Sequence, residues 1–199
     1  RIQLDTGLPV SLRLSADLKK IYVTTITQGG VIVLDTATHK ILTQFALNTP
    51  TERYRFNGGV PDASGRYFYT TLIRFDKLVD RYKVSKQMYA VIDLVQKKVV
   101  RTADLTPEDD ALNGGYRTPM MLSPDGKTLY LFKDKVLVID TATLKVVDRI
   151  DMQKADATGY EGVSFQGGVE SMQTGNANEM VSLFVAADPY VHNKVFGLG

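Results

Sequence analysis

Two stretches of this 199-residue chain are the same unit written twice. Leu14-Ser15-Ala16-Asp17-Leu18-Lys19-Lys20-Ile21-Tyr22-Val23 is followed by Val31-Ile32-Val33-Leu34-Asp35-Thr36-Ala37-Thr38-His39-Lys40. Later, Leu122-Ser123-Pro124-Asp125-Gly126-Lys127-Thr128-Leu129-Tyr130-Leu131 is followed by Val136-Leu137-Val138-Ile139-Asp140-Thr141-Ala142-Thr143-Leu144-Lys145. A looser copy lies between them, Asp62-Ala63-Ser64-Gly65-Arg66-Tyr67-Phe68-Tyr69-Thr70 and then Met88-Tyr89-Ala90-Val91-Ile92-Asp93. A degenerate fourth pairs Met180–Val185 with Lys194–Leu198. Self-similarity of this kind marks units that cannot bury their apolar faces alone and must stack on one another.

One unit reads directly. A strand from Val10 to Leu14 ends in a Ser-Pro-Asp-Gly type turn, where Asp supplies hydrogen bonding and Gly the φ freedom of a tight reversal. Strands Ile21–Thr25, Val31–Leu34 and Ile41–Leu47 follow, giving a four-stranded antiparallel sheet. Asp35 closes the third strand, and its carboxylate is placed to accept backbone N–H bonds from the Thr-Ala-Thr turn; Asp93 and Asp140 recur at the same place.

Tyr22 and Tyr69 are 47 residues apart, Tyr69 and Tyr130 61, and Asp93 and Asp140 47. A four-stranded propeller blade needs about 40–50 residues. The excess falls in one hairpin, Ile73 to Gln87 of the second copy. The expected fold is therefore all-β: a β-propeller of four-stranded antiparallel blades, about four of them in this chain. They fall at approximately 9–48, 56–103, 116–151 and 160–199, in one partial propeller domain over 1–199. An open β-solenoid is the structural rival.

The Ser-Pro-Asp-Gly-Lys-x-Leu-Tyr and Val-x-Val-Ile-Asp-Thr-Ala-Thr pieces resemble the YVTN family of β-propeller repeats over most of residues 9 to 150. The order of features also resembles the propeller (β) subunits of the quinohaemoprotein amine dehydrogenase family. There, too, a YVTN blade precedes a blade with a long, charged, Tyr-containing hairpin, like Asp76 to Lys86. A short-hairpin blade follows, like Leu122 to Lys145, and then a Gly-Tyr linker, like Gly159-Tyr160, into a strand like Met180 to Ala186. The resemblance implies a seven-bladed propeller of which this chain supplies an internal portion. It also implies a periplasmic hetero-oligomer that oxidises primary amines and passes electrons to a redox acceptor. A tryptophan-derived quinone and c-type haems would then reside on cofactor-bearing partner subunits.

Composition agrees in a negative sense. With no Trp and no Cys, the chain can supply neither a quinone precursor nor haem thioethers, and no cofactor is expected within it. Twenty-four basic and 22 acidic residues, well interspersed, give no strong field for nucleic acid or an anionic membrane. No apolar run approaches the roughly 20 residues of a membrane span. The expected location is periplasmic, as the resemblance implies, or secreted, as a stand-alone propeller would be.

Two segments come near to enzyme motifs without completing them. Gly126-Lys127-Thr128 mimics the end of a phosphate-binding loop, but Met121 stands where the first glycine is required. Gly162-Val163-Ser164 begins like a nucleophile elbow, but position 166 is Gln. His39 lies in a surface turn, and Glu108-Asp109-Asp110 reads as a solvated acidic loop without the alternating ligand spacing of calcium sites. Asn57-Gly58-Gly59 and Asn113-Gly114-Gly115 precede successive units, where glycine allows tight chain passage. No catalytic or metal-binding residue is therefore assigned.

The interaction candidates are Arg74, Phe75, Arg81 and Tyr82 on the enlarged hairpin, types enriched at protein interfaces. Tyr190 and His192, in the long loop Asp188 to Asn193, are the others. Two readings follow: a non-catalytic subunit docking redox partners, or a stand-alone secreted or surface propeller that binds a protein or glycan.

Overall fold

The computed structural model describes residues 8–109, 119–132 and 135–151, together with the backbone of residues 163–164, 172–173, 180–186 and 194–198. It divides into two compact units, residues 1–117 and 118–199.

In the first unit, β1 (Pro9–Leu14), β2 (Lys20–Thr25), β3 (Gly30–Asp35) and β4 (Ile41–Ala46) form one antiparallel sheet in chain order. The continuous run Val31-Ile32-Val33-Leu34 makes β3 a strand buried on both faces, as a blade between two neighbours requires. The second sheet holds β5 (Glu52–Phe56), β6 (Val60–Pro61), β7 (Tyr67–Lys77), β8 (Tyr82–Asp93) and β9 (Lys98–Asp104). Its innermost position is shared, since β6 pairs the start of β7 and β5 pairs its far half. Tyr22, Val31 and Val33 of the first sheet pack with Phe56, Phe68, Leu72, Met88 and Ile92 of the second. The Tyr22 and Phe68 rings stack with centroids 6.1 Å apart.

The second unit repeats the pattern with β10 (Met120–Leu122), β11 (Thr128–Phe132), β12 (Lys135–Asp140) and β13 (Val146–Asp151), again antiparallel and in chain order. In a further sheet, β16 (Met180–Ala186) pairs with β14 (Val163–Ser164), β15 (Met172–Gln173) and β17 (Lys194–Leu198). The two strands expected in the degenerate fourth copy are thus present and paired.

The turns explain the repeat in atomic terms. Ser15 Oγ donates to Asp17 Oδ1 at 2.6 Å while accepting from the Lys20 N–H, and Asp17 accepts from the Lys19 N–H. Ser123, Asp125, Lys127 and Thr128 reproduce this arrangement atom for atom. In the second sheet Ser and Asp exchange places: Ser64 donates to Asp62, and these accept from the N–H groups of Arg66 and Tyr67. A hydroxyl and a carboxylate two residues apart satisfy the same donors in either order.

All three turns pass through a left-handed residue: Gly65 at φ +69°, Gly126 at +70° and Leu18 at +58°. Only at Leu18 does a Cβ pay for that conformation, by about 1–2 kcal/mol. Its side chain is 64% exposed, so little burial offsets the strain. Glycine would lose about 0.5–1 kcal/mol more chain entropy on folding. Leu18→Gly is therefore expected to raise stability by about 0.5–1 kcal/mol, read as a higher urea midpoint at unchanged slope.

The recurring aspartates cap their turns as the sequence indicates. Asp35 Oδ1 accepts from the Ala37 and Thr38 N–H groups and the Thr38 hydroxyl. Asp93 Oδ1 accepts from Val95 and Gln96, and Asp140 Oδ1 from Thr143. Asp93 also takes Nε and Nη2 of Arg66 on its other oxygen, at 3.1 and 3.0 Å.

These donors hold the carboxyls below their ordinary range: the Thr38 amide for Asp35, the Gln96 amide for Asp93, and the Ser15 and Ser123 hydroxyls for Asp17 and Asp125. A folded-state pKa below the unfolded value of about 3.9 stabilises the protein above that pH, and the contribution is lost as pH falls through the folded values. The urea midpoint is therefore expected to be insensitive to these groups from pH 7 to 5 and to fall below about pH 4. Asp35→Asn, which keeps an acceptor but cannot titrate, should make that acid limb shallower.

One acidic residue departs from expectation. Asp109 is buried, not solvated: it sits in the 3-10 turn Pro107–Asp109, where its Oδ2 accepts from the Thr106 hydroxyl at 2.7 Å. Thr106-Pro107-Glu108-Asp109 has the spacing of a helix capping box with proline at the first helical position, which forms this turn. Asp110 and Asn113-Gly114-Gly115 lie outside the described residues.

Candidate functional site

The enlarged hairpin is built as a continuation of the second sheet. β7 and β8 stay paired from Tyr67↔Asp93 out to Lys77↔Tyr82, with a register shift between Arg74 and Phe75 that leaves Ser85 as the extra residue. The reversal is tight, closed by the Leu78 N–H to the Arg81 carbonyl at 2.7 Å. β5 runs alongside, with Arg53 opposite Phe75 and Arg55 opposite Ile73. The extension is therefore three strands wide, where the sequence suggested a two-stranded projection.

Four of the six candidate residues lie on this element. Arg74 is engaged within it: Nε lies 3.1 Å from Asp76 Oδ1 and donates to Ser85 Oγ, and Nη1 lies 3.5 Å from Glu52 Oε1. Phe75 is half-buried, with the Arg55 guanidinium 5.9 Å from its ring centre. Arg81 is exposed at the tip. Tyr82 begins β8, and the Arg53 guanidinium covers its ring at 4.4 Å. Tyr190 and His192 lie outside the described residues.

Two contributors were missed in the sequence, Arg53 and Arg55. Such stacked cation–ring pairs are worth about 0.5–1 kcal/mol each at exposed sites. The signal for them was Glu52-Arg53-Tyr54-Arg55-Phe56, whose period-two alternation is that of a strand. Tyr54 ties this strand down: its hydroxyl donates to Glu52 Oε2 at 2.9 Å, and burial pushes its pKa up. Its N–H donates to Asn48 Oδ1, while Asn48 Nδ2 donates to the Thr27 carbonyl in the turn between β2 and β3.

The outcome is a rigid surface with rings and guanidinium groups already placed, which reduces the entropy lost on binding. Among the described residues no three of His, Asp and Glu cluster as a metal site requires. His39, at φ +57°, occupies the turn after Asp35 and donates its backbone N–H to the Asp35 carbonyl. No helix among the described residues is long and apolar enough to cross a membrane.

No protein-family model matches the chain, and no curated protein matches it. Solved structures do. A protein of unknown function from Bacteroides caccae aligns with 100% of this chain and 63% of its own, at 8% identity and a TM-score of 0.53. KlAtg21, solved in complex with the coiled coil of AgAtg16, aligns with 94% of this chain and 50% of its own, at 12% identity and 0.53. The β-propeller domain of Cps50 (Swd1) from Myceliophteria thermophila aligns with 98% of this chain and 72% of its own, at 12% and 0.43. At these identities the likeness is one of fold, and the chain spans only part of each neighbour's length. Consecutive antiparallel sheets, each of four strands save the five-stranded second, define the class: an all-β protein of β-propeller blades.

Proposed function

We propose that this chain is a non-catalytic propeller subunit of a periplasmic redox assembly like quinohaemoprotein amine dehydrogenase, where it docks the cofactor-bearing subunits for the oxidation of primary amines. The observation that carries this reading is the long β7–β8 hairpin braced by β5. It lies at the place in the blade order where the resemblance puts the charged hairpin, and it presents Arg81 and the Arg53–Tyr82 pair on a rigid element. On this reading the tryptophan-derived quinone and haem c belong to partner subunits, and the chain contributes a platform and a wall.

The test is a native pull-down from the source organism, read by visible absorbance and by mass spectrometry of the co-purifying chains. A haem Soret band together with a small cross-linked, quinone-bearing chain is the expected result. A colourless protein recovered alone would remove this reading and leave a free-standing propeller that binds a protein or glycan. Tyr82→Ala with Arg81→Glu is expected to weaken partner recovery at least about tenfold, because large aromatic and Arg side chains dominate interface energetics.

A further inference from the structure

We propose that the edge of β8 from Tyr82 to Lys86 receives an extended, acidic segment of a partner polypeptide as an added strand. This deepens the docking reading and rests on it only in taking the chain to bind another polypeptide, whatever that polypeptide carries.

The first observation is an open edge. β9 pairs with β8 as far as Met88↔Asp104, and the Leu105 N–H to the Gln87 carbonyl is the last bond of that ladder. On the other side β8 stays paired with β7 out to Tyr82. Beyond Gln87, no strand among the described residues covers the β9 side of Tyr82–Lys86. A strand edge presents a row of backbone donors and acceptors, the template on which extended peptides add. Beside it lies a groove of about 270 Å³ lined by Val84, Lys86, Leu105, Thr106 and Pro107, among others. The end of β9 and the turn after it thus form a shelf for the side chains of an incoming strand.

The second observation selects the occupant. Residues 73–87 carry five basic side chains (Arg74, Lys77, Arg81, Lys83, Lys86) against two acidic ones (Asp76, Asp80). The rest of the chain holds 19 basic and 20 acidic residues, so its entire positive excess resides on this hairpin. Arg74 is paired with Glu52 and Asp76, and Lys86 with Asp104 at 2.7 Å. Lys77, Arg81 and Lys83 have no ion pair among the described residues, and all three are exposed. Edge-to-edge pairing of two copies would bring these lysines together, a charge repulsion that disfavours a second copy as the occupant. An acidic strand meets no such obstacle, since opposite charges across neighbouring strands attract.

The experiment selects random nonapeptides displayed on phage against the full chain, then measures synthetic, fluorescein-labelled versions of the enriched sequences by anisotropy. Enriched peptides are expected to be net acidic, and their affinity should fall about tenfold or more between low and physiological salt. Lys83→Glu should weaken binding at least about tenfold, Lys83→Arg should retain it, and Lys97→Glu, an exposed charge in the β8–β9 turn, should leave it unchanged. Hydrogen exchange should slow in the complex at those amides of residues 82–86 that face away from β7. N-methylating alternate peptide amides should abolish binding in one of the two registers only, because an added strand uses every second N–H. No enrichment, neutral or basic consensus sequences, protection elsewhere, or tolerance of both methylation registers would each overturn the proposal. None of these outcomes depends on a haem or a quinone, so the strand-addition site and the redox assembly fail separately.

Discussion

Phe68→Ala is expected to lower the unfolding free energy by about 3–5 kcal/mol, the range for removing a fully buried aromatic ring. Phe68 has no exposed surface and sits where the two sheets of the first unit meet. Its ring stacks on Tyr22 of β2, so the deletion removes contacts within its own sheet and with the neighbouring one. The cavity would be walled by Tyr22, Val33, Leu72 and Ile92, side chains fixed on paired strands that cannot collapse far. For a protein whose total stability is about 5–15 kcal/mol, that is about a fifth or more of the whole. Urea unfolding followed by circular dichroism measures it, with Phe68→Leu as the milder comparison. A loss below about 1 kcal/mol would show that the two sheets are not held together through this ring.

How much of this was legible in the sequence depends on how local the cause is. The Ser15–Asp17 and Ser123–Asp125 turns were legible, because donors, acceptors and the left-handed residue all lie within six positions. The exchange of Ser and Asp at 62 and 64 changes the letters but not the hydrogen bonds, and for that reason the second copy looked looser than it is. β5 was not legible. Arg53 and Arg55 interrupt any apolar run, and the strand exists because β7 extends far enough to pair with it, a contact made twenty residues away. The hairpin's position was clear from spacing alone, whereas its open β8 edge follows from where β9 stops pairing. Asp109 failed on a local signal that was present: the Thr106-to-Asp109 spacing with Pro107 outweighs the acidic run around it.

Gly59→Ala should cost about 2–4 kcal/mol, and most of that cost should depend on Phe68. Gly59 has φ +156°, a conformation that L side chains rarely adopt. A Cβ there would meet the Phe68 ring, overlapping Cε1 and lying 2.5 Å from Cζ, with the Tyr69 carbonyl oxygen at 3.2 Å. The ring cannot retreat, because Tyr22 is stacked on it and the chain at Gly58 is tied by the Thr70 hydroxyl. Overpacking a closed core costs about 1–3 kcal/mol, and the backbone strain adds about 1 kcal/mol or more. In a Phe68→Leu background the obstructing ring atoms are gone while φ is unchanged, so only the backbone part should remain. The double-mutant cycle is thus expected to show a favourable coupling of about 1–2 kcal/mol between the two sites. Additivity within about 0.5 kcal/mol would mean that Gly59 is needed for its backbone conformation alone. Coupling of the expected size would establish that the Asn-Gly-Gly segment is glycine because the ring that joins the two sheets occupies the space a side chain would need.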